Sequence, residues 1–216
     1  MGRYVWNPWN PAFTVVELLV IMAIAVLAAA VLLAGLARAK QRARREGCVN
    51  NLKQIGLAFK TWALDGGDYF VTGVSTNGGG AREFAMNGEV FRAFQVMSNE
   101  LRAPKVLVCP ADVRRPTPAF ENGFGNSNLS YFASINAQDS DPEMFLSGDR
   151  NLTNGPLSPN RLLLLNTNYP ADWTRAIHVR QGNIVLSDGS VQQFSIPGLK
   201  PALCNCWWHS NTLAFP

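Results

Sequence analysis

The longest hydrophobic stretch of the chain runs from Leu18 to Leu36, LLVIMAIAVLAAAVLLAGL, nineteen residues without a charge. About 20 apolar residues in helical form cross the hydrocarbon core of a bilayer. Backbone groups in lipid must satisfy one another, so the stretch predicts a membrane-spanning helix. A secretory signal has an apolar region of only ~7–15 residues behind a positive start. Here the run is longer and the leader holds a single charge, Arg3. If the chain were secreted instead, Ala28-Ala29-Ala30 and Ala37-Arg38-Ala39 are where signal peptidase would cut.

Beyond Leu36 the apolar positions thin to one face. Val49, Leu52, Ile55, Phe59 and Trp62 recur at three- and four-residue steps, with Gly56 and Ala63 alongside, which is an amphipathic helical stripe. One helix is therefore expected from about Thr14 to Leu64, stopped by Asp65-Gly66-Gly67, roughly 75 Å long. Its first half suits lipid or a filament core. Its second half offers one face to a globular part.

The remainder alternates short patterns with loops. Residues 66–87, rich in Gly, Asn, Ser and Thr, read as a loop. Gly88 to Leu101 reads as a helix with Val90, Phe91, Phe94 and Met97 on one side, and Lys105–Pro110 as a strand stopped by proline. Further strands are expected at Leu129–Ile135 and Arg161–Asn166. The strongest local signal is Asn183–Phe194, where Asp188-Gly189 separates two β-rich runs as a two-residue hairpin turn with positive φ angles. The fold class that follows is α+β: a long N-terminal helix packed on a small antiparallel sheet with long loops. The divisions are a leader at 1–12, a transmembrane segment at 13–36, an amphipathic continuation at 37–64 and a globular domain at 65–216.

Length and composition agree. A chain of 216 residues, 47 % hydrophobic and 16 % charged, is neither disordered nor collagen-like. The net charge of +4 is local. Residues 36–60 carry seven basic residues and one acid, while residues 61–216 carry eleven basic and thirteen acidic residues. The bulk is mildly acidic, so nucleic acid is not an expected partner. Arg38, Lys40, Arg42, Arg44 and Arg45 form a solvated stretch that anionic lipid would also attract. DNA capture through Arg42, Arg44 and Arg45 lacks interleaved aromatic residues.

Glu17 is the informative charge. A carboxylate at the head of a membrane helix costs a few kcal/mol unless it is paired or reaches the headgroups. Phe13 lies four residues earlier, one helical turn away. A cut between Ala12 and Phe13 would create an α-amino group at that depth, and a neighbouring copy would then neutralise Glu17.

The stretch Ala12-Phe13-Thr14-Val15-Val16-Glu17-Leu18-Leu19-Val20 resembles the processing signal of type IV pilins and type II secretion pseudopilins. The resemblance implies cleavage by a prepilin peptidase before Phe13, methylation of the new amine, and pairing of Glu17 with that amine during assembly. Where the family usually has Gly before the cut, this chain has Ala12. Other pilin or pseudopilin subunits, an inner-membrane assembly platform and membrane lipid are the implied partners. The protein is then a single-pass protein of the cytoplasmic membrane with its C-terminal part in the periplasm. The basic residues after Leu36 would by themselves place that side in the cytoplasm; the resemblance implies the reverse.

Further segments are similar to a large prepilin-like group: Cys48–Phe59, Cys109-Pro110-Ala111-Asp112, Ser130-Tyr131-Phe132, Gly148-Asp149-Arg150-Asn151, and His178 followed after nine residues by Asp188-Gly189. The role of that C-terminal domain is not defined by the resemblance. His178 and Asp188 invite a reading as a membrane-anchored enzyme or metal module. The simpler reading makes Asp188 a turn residue accepting backbone hydrogen bonds and His178 a partner of a loop carbonyl. The chain has two histidines and no legible Ser-His-Asp or HExxH arrangement, so an enzyme is not expected. A secreted binding module is the other alternative.

No cofactor signature is present. Major pseudopilins hold calcium near the sheet, and Asp112, Asp149 and Asp188 are hard oxygen donors suited to calcium, though no EF-hand spacing occurs. Four cysteines outside the cytoplasm suggest disulfides, with three connectivities. A bridge between Cys48 on the helix and Cys109 at a strand end would pin sheet to helix. Cys204 and Cys206 are too close in sequence for an unstrained bridge to each other. They read as thiols in an apolar tail or, with Trp207, Trp208 and His209, as a metal clip.

Overall fold

A computed structural model describes residues 14–166, 171–205 and 210–216. Helix α1 runs from Val15 to Gly66 without a break. The chain divides into two compact units, Met1–Arg42 and Ala43–Pro216, so the boundary falls within α1 and the globular unit begins inside the helix rather than after it. In the first unit the apolar side chains of α1 are exposed; Val31 and Leu32 keep more than two thirds of their surface. Among the described residues, α1 is the one helix long and apolar enough to cross a membrane.

In the second unit the stripe of α1 is buried as its spacing requires. Cys48, Leu52, Ile55, Ala58, Phe59 and Ala63 enter the core, and Phe59 meets Phe70 and Phe94 edge-on at 6.0 and 6.1 Å. Small elements follow: α2 (Arg82–Met86), α3 (Phe91–Val96) and α4 (Ser98–Leu101). The strands are β1 (Tyr131–Ser134), β2 (Phe145–Asp149), β3 (Leu152–Thr153), β4 (Leu162–Leu165), β5 (Asp172–Trp173), β6 (Gln181–Leu186) and β7 (Val191–Ser195). Helix α5 (Ile196–Asn205) and strand β8 (Asn211–Ala214) complete the chain.

The main sheet is antiparallel with order β4-β8-β1-β2-β6-β7, and β3 and β5 form a separate ribbon. Alternate residues face opposite sides of a strand. Tyr131, Ala133, Leu146, Val185 and Ala214 join the α1 side. Phe132, Phe145, Leu163, Leu165, Ile184, Leu213 and Phe215 join a second core, closed by Leu199 and Leu203 of α5 and by Leu152 and Trp173 of the ribbon. The architecture is α+β, a long N-terminal helix packed on a small antiparallel sheet.

Four local expectations are corrected. Residues 66–87 are not all loop: Ser75 Oγ caps a 3-10 turn at Thr76–Gly78, and α2 follows. The helix expected at Gly88–Leu101 starts at Phe91 and breaks at Met97 into α3 and α4. The strand expected at Lys105–Pro110 is a 3-10 turn at Pro104–Leu107, with proline in its first positions, where a missing N–H costs nothing. The hairpin is present, with Val185 opposite Val191, but its loop holds three residues. Gly189 N–H donates to Leu186 O, Leu186 N–H to Ser190 O, and Gly189 alone takes positive φ, at 88°. That is a turn closed by a glycine bulge rather than a primed two-residue turn.

Candidate functional site

Among the described residues, two places hold polar groups whose chemistry exceeds packing. The first is the head of α1. Glu17 Oε2 accepts from Thr14 N–H at 2.8 Å and from Thr14 Oγ1 at 2.9 Å, and Glu17 N–H donates to Thr14 Oγ1 at 3.2 Å. This reciprocal pair is a capping box, in which two orphan donors of the first turn find partners. Sequence reasoning singled out Glu17 and missed Thr14, although the Thr-x-x-Glu spacing is the signature of such a box. Ala12 and Phe13, the expected processing residues, lie outside the described residues.

The second place is inside the globular unit, where the segments singled out along the sequence converge. The Asp112 carboxylate takes a two-pronged ion pair from Arg150, Nε to Oδ2 at 2.7 Å and Nη2 to Oδ1 at 2.8 Å, and Ser130 Oγ donates to Oδ2 at 2.8 Å. Burial pushes the Asp112 carboxyl up, but the hydrogen bonds from Arg150 and Ser130 and the Arg150 charge bring it below its ordinary value. Arg114, half-buried nearby, donates to Asn126 O and Leu129 O, and burial with the Arg150 charge lowers it to about 10.

Asp149, at the end of β2, is fully buried. Its Oδ2 accepts from Asn183 N–H at 2.8 Å and Asn183 Nδ2 at 2.9 Å, while Oδ1 is buried without a hydrogen-bond partner. Burial pushes this carboxyl up to about 7, against the pull of Asn183 and Arg45. Arg45 reaches the same end of the sheet, its Nε donating to Asn183 Oδ1 at 3.4 Å and its Nη1 to Gln181 Oε1. Tyr131 is buried beside them, and burial followed by the Asp149 charge raises its hydroxyl.

His178 completes the group. Its Nε2 lies 3.5 Å from Asp149 Oδ2 and 3.3 Å from Cys109 Sγ. Cys109 is joined to Cys48 of α1 by a disulfide, with Cα atoms 4.9 Å apart. Burial, then the Arg45 charge, lowers the imidazole to about 4, so it is neutral at neutral pH. The loop that carries it is unusual: His178, Val179 and Arg180 all have positive φ, 54°, 47° and 61°. Left-handed backbone costs roughly 1–2 kcal/mol per non-glycine residue. Asn151 holds it in place, donating through Nδ2 to Thr174 O, Ile177 O and Gln181 O at 3.1, 2.8 and 3.0 Å.

The structure does not join His178 to Asp188. They flank β6, so roughly 20 Å of extended strand separates them. Asp188 Oδ1 accepts from Ser190 N–H, a turn role. Nε2 of His178 faces Cys109 Sγ and Asp149 Oδ2, not Asp188. Asp112, Asp149 and Asp188 each have their own protein partners as given above and form no common cluster. Cys204 falls in α5, whereas Cys206, Trp207, Trp208 and His209 lie outside the described residues. Cys109, Asp149 and His178 were in view from the sequence, but their meeting is long-range and has no spacing signature. No family model, curated protein or solved structure matches the chain.

Proposed function

We propose that this chain is a type IV pilin-like subunit, of a type II secretion pseudopilus or a related filament, whose work is assembly rather than catalysis. The observation that carries the reading is α1: an apolar helix segment with exposed side chains whose one charge before Arg38, Glu17, stands in its first turn. In this reading a prepilin peptidase cuts before Phe13, and Glu17 exchanges its Thr14 partners for the new amine of a neighbouring subunit. The helix sits in the cytoplasmic membrane until assembly, with the globular unit on the periplasmic side. Side-by-side packing of such helices removes apolar surface from lipid or water, and the Glu17 pair fixes register.

The test is assembly of Glu17→Ala in the native host, measured as protein recovered in the sheared, high-mass fraction. The reading expects a fall of at least tenfold, since about 1.4 kcal/mol is tenfold and removing one partner of a buried ion pair costs about 3–5 kcal/mol. Unchanged recovery contradicts it.

A further inference from the structure

The buried cluster contains a donor set that the assembly reading leaves unused. Cys48, Cys109, Asp149 and His178 each offer one ligand-type atom, and the four atoms lie within 4.8 Å of one another. In the structure the two sulfurs form a disulfide, which is not a thiolate and is a poor ligand. Every disulfide is made from a dithiol, however. Before oxidation, this fold would hold two thiols, a neutral imidazole and a carboxyl in one enclosed space.

We propose that the dithiol form of this protein is a zinc site, ligated by Cys48 Sγ, Cys109 Sγ, His178 Nε2 and a carboxylate oxygen of Asp149, and that zinc and the disulfide exclude each other.

The donor chemistry selects the metal. Two sulfurs with one nitrogen and one oxygen suit a borderline-soft tetrahedral ion and not calcium or magnesium, which take oxygen ligands. Zinc bonds of about 2.0–2.3 Å place tetrahedral ligands roughly 3.3–3.8 Å apart. Nε2 of His178 already stands 3.3 Å from Cys109 Sγ and 3.5 Å from Asp149 Oδ2. The supports are built as well. Asn183 holds Asp149 by two hydrogen bonds, and Asn151 holds the loop of His178 by three. Such outer contacts orient ligands. Asp149 Oδ1 is wholly buried and has no hydrogen-bond partner, an arrangement that a cation would relieve. Arg45 adds a positive charge near the same carboxylate, offsetting the negative charge of two thiolates and one carboxylate.

Loading moves no electrons: one zinc ion replaces the two thiol protons, and the Asp149 proton where that carboxyl carries one, all of which leave to water. Disulfide formation then proceeds by exchange with an oxidised partner disulfide. The Cys48–Cys109 S–S bond forms, the partner's S–S bond breaks and is reduced to two thiols, and zinc leaves because its two sulfur ligands are gone.

The experiment uses the full chain in detergent carrying Cys204→Ser and Cys206→Ser, which leaves Cys48 and Cys109 as its cysteines. One sample is kept oxidised; the other is denatured, reduced with a phosphine and refolded without metal. Both are titrated with cobalt(II), then zinc. The proposal expects one equivalent of cobalt in the reduced sample, with thiolate charge-transfer absorption and intense tetrahedral d–d bands that one equivalent of zinc abolishes. The oxidised sample should give neither. His178→Ala and Asp149→Asn should each weaken zinc binding about tenfold or more. A folded reduced chain without the charge-transfer band overturns the proposal, as does a band indifferent to both substitutions. If reduction unfolds the chain, refolding by zinc supports it, and failure of zinc to refold it overturns it.

Discussion

Thr14 and Glu17 satisfy each other at the head of α1: the Glu17 carboxylate accepts from both Thr14 N–H and Oγ1, and Thr14 Oγ1 accepts from Glu17 N–H. The cap that Glu17 makes and the assembly contact proposed for it are separable demands on one side chain. Glutamine serves as well as glutamate in a capping box but carries no charge. Glu17→Gln is therefore expected to keep the first turn and lose filament yield as severely as Glu17→Ala. Thr14→Val removes the cap hydroxyl and should leave yield near that of the unaltered protein. Shear-fraction recovery of the three variants side by side checks this. A Glu17→Gln protein that assembles normally would reduce Glu17 to a helix cap.

The Cys48–Cys109 disulfide closes a stretch of sequence separation 61 between α1 and the turn before β1. In the chain-entropy view, closing such a loop contributes on the order of 4 kcal/mol. Replacing both cysteines with serine should lower the denaturation midpoint of the detergent-solubilised protein, with a steeper slope because the freed unfolded chain exposes more surface. An unaltered midpoint would mean that the bridge constrains little that the core does not already hold.

The Asp112–Arg150 pair predicts the acid behaviour of the globular unit. The folded carboxyl titrates below its ordinary value, so the unfolded chain takes up its proton first as pH falls. The stability from this group is complete above the unfolded value of about 4 and is lost as pH drops through the folded one. Arg150, Arg114, Asp149 and His178 act on or surround this carboxylate, and Ser130 donates to it. Asp112→Asn should flatten the acid limb of a stability-against-pH curve measured below about pH 4. Arg150→Met, which leaves an enclosed carboxylate without its cation, should cost about 3 kcal/mol at neutral pH. Superimposable acid limbs for Asp112→Asn and the unaltered protein would refute the assignment.

At Gly56 the backbone of α1 packs closely on β6. A β-carbon there would stand 2.6 Å from Val185 Cγ2, a stiff and fully buried side chain. Gly56→Ala gains about 1 kcal/mol of helix propensity but forces overpacking that typically costs about 1–3 kcal/mol. A net loss of stability is expected, recovered in part by adding Val185→Ala. Strict additivity of the two substitutions in a double-mutant cycle would contradict the contact.

What the sequence made legible follows from range and from layering. The stripe of α1 was readable because its period is local and its stop, at Gly66-Gly67, is chemical. The β6–β7 hairpin was readable from Asp188-Gly189, although its three-residue loop was not. Strands β2 and β8 escaped notice for a physical reason. The sheet is covered on both faces, by α1 and by α5 with the ribbon, so β2 is buried at every position and shows no alternation to read. The C-terminal Asn211–Ala214, for which the sequence predicts no element, is an interior strand between β4 and β1. The pairing of His178 with Asp149 was hidden because the two residues approach through the sheet register. Asp188, nearer to His178 in sequence, lies at the other end of the intervening strand.

The central claim is maturation: that this chain is cut before Phe13, exposing the amine that Glu17 awaits. The most direct measurement is N-terminal sequencing, with intact mass, of the protein recovered from the membranes of its native host. The account predicts a chain beginning Phe13-Thr14-Val15-Val16-Glu17 with a methylated amine. A chain that still begins at Met1, or that begins within or beyond the apolar run near Val31 or Lys40, would contradict it.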